Sequence, residues 1–117
     1  MRFSFKLEED KGIAVIYLMG DLMERSDATE LIAKIDELIN LNRNTFVLNL
    51  SELKYMNSTG LNLLISILSK ARNHGGEVLI TEVSAKIKEL LVVTKLNTVF
   101  TITDTNKKAI EMIEKRL

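Results

Sequence analysis

The chain contains no cysteine, no proline and no tryptophan, and it has a single histidine, His74. Without Cys there is no disulfide framework, no thiol nucleophile and no zinc–thiolate site. No proline-rich stretch or linker divides the chain, and no repeat or low-complexity segment interrupts it. Charge of one sign is missing too: sixteen basic residues balance sixteen acidic ones. A neutral chain lacks the electrostatic footprint of a DNA or RNA binder, so no nucleic acid is expected as a partner. The longest unbroken apolar run, Ile13 to Met19, is far short of a membrane span, so no membrane is expected either. The alternating start, Phe3-Ser4-Phe5-Lys6-Leu7, has no apolar core of an export signal, and a cytoplasmic location is the expectation.

The usual means of catalysis are equally sparse. If Ser58 and His74 bound one helix, a rise of ~1.5 Å per residue puts them roughly 24 Å apart, too far for a nucleophile–base pair. The carboxylates are scattered, and no His–carboxylate set has metal-ligand spacing. Gly75-Gly76 follows a helix instead of preceding one, and no G-x-x-x-x-G-K is present. The chain is therefore expected not to be an enzyme and to need no cofactor or metal.

What is present is a regular alternation of apolar patterns. Phe3, Phe5 and Leu7 alternate with polar residues as in a half-buried strand. After a turn at Glu9 to Gly12, Ile13 to Met19 is apolar on both faces and reads as an interior strand, hairpin-paired with the first. Gly20 to Arg25 reads as a loop. Asp27 with Glu30 has capping-box spacing ahead of a helix whose inner face is Leu31, Ile32, Ile35, Leu38 and Ile39. Thr45 to Leu50 is a third strand, Gly60 to Asn73 a second helix closed by His74-Gly75-Gly76, and Glu77 to Thr81 a fourth strand. Ser84 caps a third helix. Thr98 to Ile102 is a fifth strand, and Thr103 or Asp104 caps a last helix with Ala109, Ile110 and Ile113 inward. Lys107-Lys108 and Lys115-Arg116 read as its solvated face. The expected fold is α/β: a single domain over residues 1–117, with a mostly parallel sheet of four to five strands, an N-terminal antiparallel hairpin and about four helices.

The second helix is the informative element. Leu61, Leu63, Leu64, Ile65, Ile67, Leu68 and Ala71 cover most of its circumference, leaving Asn62, Ser66, Ser69 and Asn73 as one narrow polar stripe. One step back along that stripe lands on Ser58, which the pattern places at the helix N-cap, where N–H groups and the positive dipole end point outward. As a plain cap, Ser58 would contribute about 1 kcal/mol. As a modified residue it could carry a phosphate that the helix start tolerates and a docked protein would feel. Small polar residues along the stripe could equally serve only to let the helix lie close to another element.

The stretch from Leu48 through Ser51-Glu52-Leu53-Lys54-Tyr55-Met56-Asn57-Ser58-Thr59-Gly60-Leu61 resembles the signature of the bacterial anti-sigma factor antagonists, the STAS domain. The likeness extends to Gly20-Asp21-Leu22, Gly75-Gly76-Glu77, Thr94-Lys95-Leu96, Val99-Phe100 and Thr103-Asp104-Thr105. It implies a partner switch. The unphosphorylated protein binds an anti-sigma factor with serine kinase activity and frees the sigma factor. The kinase modifies the first hydroxyl of the motif, here Ser58, the complex parts, and a PP2C-type phosphatase resets it. Together with the stripe, it makes Asp21, Asn57, Ser58, Thr59, Gly60, Asn62 and Ser66 the expected partner-binding residues. Two features depart from the family pattern: Asn57 stands where the family has Asp, and Met23 lengthens the loop after Gly20 by one residue. These leave open a phosphorylation-independent interaction or scaffold module in a signalling complex. Helix N-termini at strand ends also leave open a small-ligand or nucleotide binder.

Overall fold

The computed structural model describes residues 2–116, with the side chain of Arg116 outside the description, so the Lys115-Arg116 pair is followed only at Lys115. The elements in order are β1 (Ser4–Asp10), β2 (Ile13–Leu22), a 3-10 turn (Arg25–Ala28), α1 (Thr29–Asn40), β3 (Phe46–Met56), α2 (Ser58–Asn73), β4 (Val78–Thr81), α3 (Ala85–Val93), a second 3-10 turn (Leu96–Thr98), β5 (Thr101–Thr103) and α4 (Asn106–Arg116). One sheet runs β1-β2-β3-β4-β5, with β1 antiparallel to β2 and every other pair parallel. This is the expected α/β fold.

Strand β2 shows why both sheet faces are covered. Ala14, Ile16 and Leu18 pack with α1, α2 and α3 residues such as Ile35, Leu64 and Leu91 in one cluster. Ile13 and Val15, on the other pleat face, join Val47 and Leu79 against Ala109, Ile110 and Ile113 of α4. Three successive crossovers that step the same way across a sheet and share one hand put α1 to α3 on one side. Only α4, which follows the last strand, lies on the other.

Several boundaries differ from the sequence expectation. The first turn is only Lys11-Gly12, with φ of 53° and 79°, and β1 continues through Asp10. Gly20 to Leu22 is not loop but the end of β2, and β3 does not stop at Leu50 but continues to Met56. The two extensions pair with each other, Gly20 with Leu53, Asp21 with Tyr55 and Leu22 with Met56, across register shifts at which Gly20 takes a φ of 85°. Asp27 does not open α1 with Glu30. Its carboxylate accepts from the Met23 and Glu24 N–H groups at 3.1 and 2.9 Å and closes the 3-10 turn before α1. The fifth strand shortens to Thr101–Thr103, because a second 3-10 turn occupies the residues before Val99. The Thr105 hydroxyl, and neither the Thr103 hydroxyl nor the Asp104 carboxylate, accepts from the Lys108 N–H at 3.1 Å at the start of α4. Two helix ends follow the sequence: Ser84 Oγ accepts from Ile87 N–H at 3.3 Å, and Gly75 takes φ 81° after α2.

Candidate functional site

The site is built where β2 and β3 end and α2 begins. Met56 is the last residue of β3, Asn57 turns the chain, and Ser58 is the first residue of α2. Asn57, not Ser58, is the N-cap: its Oδ1 accepts from the Gly60 N–H at 3.0 Å, and its carbonyl from the Leu61 N–H at 2.9 Å. The physical reason lies in the backbone. Asn57 has extended φ,ψ of −105°, −171°, as a cap residue must, so Ser58 is already helical and its hydroxyl is not committed to the cap.

The helix start is pressed against the end of β2. A methyl group on Gly60 would stand 2.3 Å from the Leu22 carbonyl oxygen and 2.7 Å from Met56 Cγ, so the motif glycine permits a backbone approach that a side chain would block. A second tie joins the same elements, since Asn57 Nδ2 donates to the Met23 carbonyl at 3.0 Å.

The expected residues divide as follows. Ser58, Asn62 and Ser66 are exposed and lie on one face of α2, with Ser69 and Asn73 exposed further along it. Asn57 and Thr59 are half-buried at the helix start, and Gly60 is buried. Asp21 is half-buried on β2, opposite Tyr55 in register, and so belongs to the same end of the sheet. Ser66 lies two turns, about 12 Å, from Ser58 and is the outlier of the set. His74 is at the opposite end of α2, where its Nδ1 lies 2.9 Å from the Lys70 carbonyl.

Sequence reasoning missed the exposed apolar surface at this end of the sheet. Met23 and Tyr55 are 41% and 52% exposed, large values for such side chains. The Lys86 ammonium sits 4.4 Å over the Tyr55 ring, a cation–π contact that joins β3 to α3. Between these elements runs a groove of about 300 Å³, floored by Met56, Ile87 and Leu90 and edged by Lys54, Lys86 and Val93. Val93 is 73% exposed. The available signal was the unbroken run Leu90 to Val93, which carries more apolar residues than one buried helical face can use. Lys54 and Lys86 against Glu89 make the groove mildly positive. Among the described residues, no group of three or more His, Asp or Glu side chains is placed to hold a metal ion. The arrangement combines a small polar helix tip, on which Ser58 is exposed, with exposed apolar side chains at Met23 and Tyr55 on the same end of the sheet.

A family model for the STAS domain matches residues 4–109. The anti-sigma F factor antagonist of Paenibacillus polymyxa is 26% identical over 116 residues, spanning 97% of this chain and 97% of that one. The structure of the anti-sigma factor antagonist SpoIIAA in its unphosphorylated form aligns with a TM-score of 0.74 at 23% identity, over 95% of this chain and 98% of that one. The phosphorylated form of the Bacillus cell fate determinant SpoIIAA aligns at 0.72 and 22% identity, over 94% of this chain and 99% of that one. At such identities the two structures establish likeness of fold.

Proposed function

The chain belongs to the STAS domain family, and on that premise we propose that it is an anti-sigma factor antagonist switched by phosphorylation of Ser58. Unphosphorylated, it binds an anti-sigma factor with serine kinase activity in the cytoplasm and so releases a sigma factor. The kinase modifies Ser58, the complex parts, and a PP2C-type phosphatase restores the hydroxyl. The observation that carries this reading is the exposed Ser58 side chain on the first turn of α2, with the cap supplied by Asn57.

The energetics run in opposite directions for fold and complex. A phosphate on Ser58 brings roughly −2 charge next to a helix N-terminus, which favours an anion by about 0.3–1 kcal/mol. The folded domain therefore tolerates the group. In a complex the same charge is held beside Met23 and Tyr55, against a partner surface that has to be desolvated, and an uncompensated charge there weakens binding. A phosphorylation-independent docking module is the second reading, favoured by Val93 and the α3 groove, which offer apolar surface apart from Ser58.

The test uses ATP and the anti-sigma factor kinases of the genome that carries this chain. One of them should add a single phosphate, mapped to Ser58 and absent in Ser58→Ala. Ser58→Asp should bind that kinase at least about tenfold more weakly, or ~1.4 kcal/mol. No change of mass with any of them, or wild-type affinity in Ser58→Asp, would overturn the switch.

A further inference from the structure

Asn57 does two things at the start of α2, and a carboxylate could do only one of them. Its Oδ1 accepts from the Gly60 N–H, and its Nδ2 donates to the Met23 carbonyl, each at 3.0 Å. An ionised aspartate has acceptors only. It would keep the first bond, lose the second, and set a negative oxygen against a carbonyl oxygen.

Met23 is held from its other side as well, because its N–H donates to the Asp27 carboxylate at 3.1 Å. Both backbone polar groups of this residue are thus tied by side chains from different elements, while its own side chain is 41% exposed. A flexible, polarisable thioether on a fixed backbone suits an apolar contact, and fixing the backbone in advance removes part of the ordering cost of binding. The tie also reaches the residue next to Leu22, whose carbonyl Gly60 already approaches. The end of β2 and the start of α2 therefore form one piece.

We propose that Asn57 is a positioning residue that makes Met23 a fixed apolar contact beside Ser58, received by an apolar pocket on the partner protein. The inference rests on the antagonist reading for the partner, and on geometry alone for the clamp.

The clamp is tested without any partner. In the wild-type protein, NMR should detect a coupling across the hydrogen bond between Asn57 Nδ2 and the Met23 carbonyl carbon. Asn57→Asp and Asn57→Ser retain a cap acceptor and lose only the Met23 tie, so both should remain folded with an unfolding midpoint above that of Asn57→Ala. In both variants the amides of Met23 and Glu24 should exchange about fivefold to tenfold faster, the size of one net hydrogen bond, with the interior amides of α2 unchanged. A residue that only caps the helix would leave the exchange of the Met23 and Glu24 amides at the wild-type rate in both variants. Unchanged loop exchange in both variants overturns the clamp.

The contact is tested with the kinase found in the phosphorylation experiment. Met23→Ala and Asn57→Ser should each bind about fivefold to tenfold more weakly, and the double variant no more weakly than Met23→Ala. Wild-type affinity in either single variant, or losses that simply add, overturns the contact. A wild-type chain that binds no such kinase removes the antagonist reading and the contact with it, and the exchange data separate that outcome from failure of the clamp.

Discussion

Replacing Gly60 by alanine sets two tendencies against each other, and the structure says which prevails. In a solvent-exposed helix interior, Gly→Ala stabilises by roughly 1 kcal/mol, and nearer the N-terminus by less. Here the added methyl would lie 2.3 Å from the Leu22 carbonyl oxygen, 2.7 Å from Met56 Cγ and 3.1 Å from Leu22 Cγ. The Met56 side chain can turn aside. The Leu22 carbonyl cannot, since Leu22 is held in register with Met56 at the end of the β2–β3 pair. The first turn of α2 must therefore move outward and strain the Asn57 bonds to Gly60 and Met23. Overpacking of this kind costs ~1–3 kcal/mol, so after the helix gain Gly60→Ala should be destabilised by about 1–2 kcal/mol. In a domain of this size, that lowers the Tm by roughly 4–8 °C. Urea and thermal unfolding measure the loss, and amide shifts at Leu22, Met23 and Ser58 should locate it. A Tm equal to or above wild type would mean that helix propensity outweighs the contact, and the close approach of α2 to β2 would have to be abandoned as the reason for the glycine.

Three further outcomes are expected. Asn57→Ala should cost about 1–2 kcal/mol in urea unfolding while Ser58→Ala stays within about 0.5 kcal/mol of wild type, because the cap hydrogen bond to Gly60 and the tie to Met23 both come from Asn57. On the α4 face, Asn106 accepts from Asn49 and Thr81 at 2.9 and 2.8 Å and donates to the Tyr17 hydroxyl at 2.9 Å. Asn49 and Thr81 are buried, so Asn106→Ala should lower the unfolding free energy by ~1–3 kcal/mol through groups left without partners. At the far end of the sheet, the hydrogen bond from Arg43 holds the Glu9 carboxyl below the usual carboxylate range. The sign follows from the lowered value: the stabilisation is fully present above the ordinary Glu range and fades as pH falls through the lowered pKa. Acid titration of Glu9→Gln should lack that component, and since the pair is solvent-exposed, the difference from wild type should be small and diminish with salt.

The legible and the illegible parts of the site divide residue by residue. The polar stripe Ser58, Asn62, Ser66 and Ser69 was readable because helical periodicity turns burial into spacing, and all four are exposed. The cap was not. Asn57 and Ser58 are both good cap formers and adjacent in sequence, and the choice between them was made by the extended backbone at Asn57, where β3 ends. The second half of β3, Ser51 to Met56, reads as loop because polar residues break the apolar run that ends at Leu50. It is a strand because the bulged end of β2 supplies its hydrogen-bond partners. Met23 gave no periodic signal at all, and its place depends on Asp27 and Asn57, four and thirty-four residues away.

From the residues alone came the order of the elements, the hairpin, the two-faced burial of β2, the inward faces of α1, α2 and α4, and the motif that marks Ser58. These follow from local hydrophobic periods of two and 3.6, which a chain displays whether or not it is folded. Tertiary structure alone decided how far β2 and β3 run, which residue caps α2, how closely Gly60 meets Leu22, and that Met23 and Tyr55 stand exposed at the same end of the sheet as α2's first turn. All but the cap are contacts between segments distant in sequence, set by the packing of whole elements against one another, and the cap itself depends on where β3 ends.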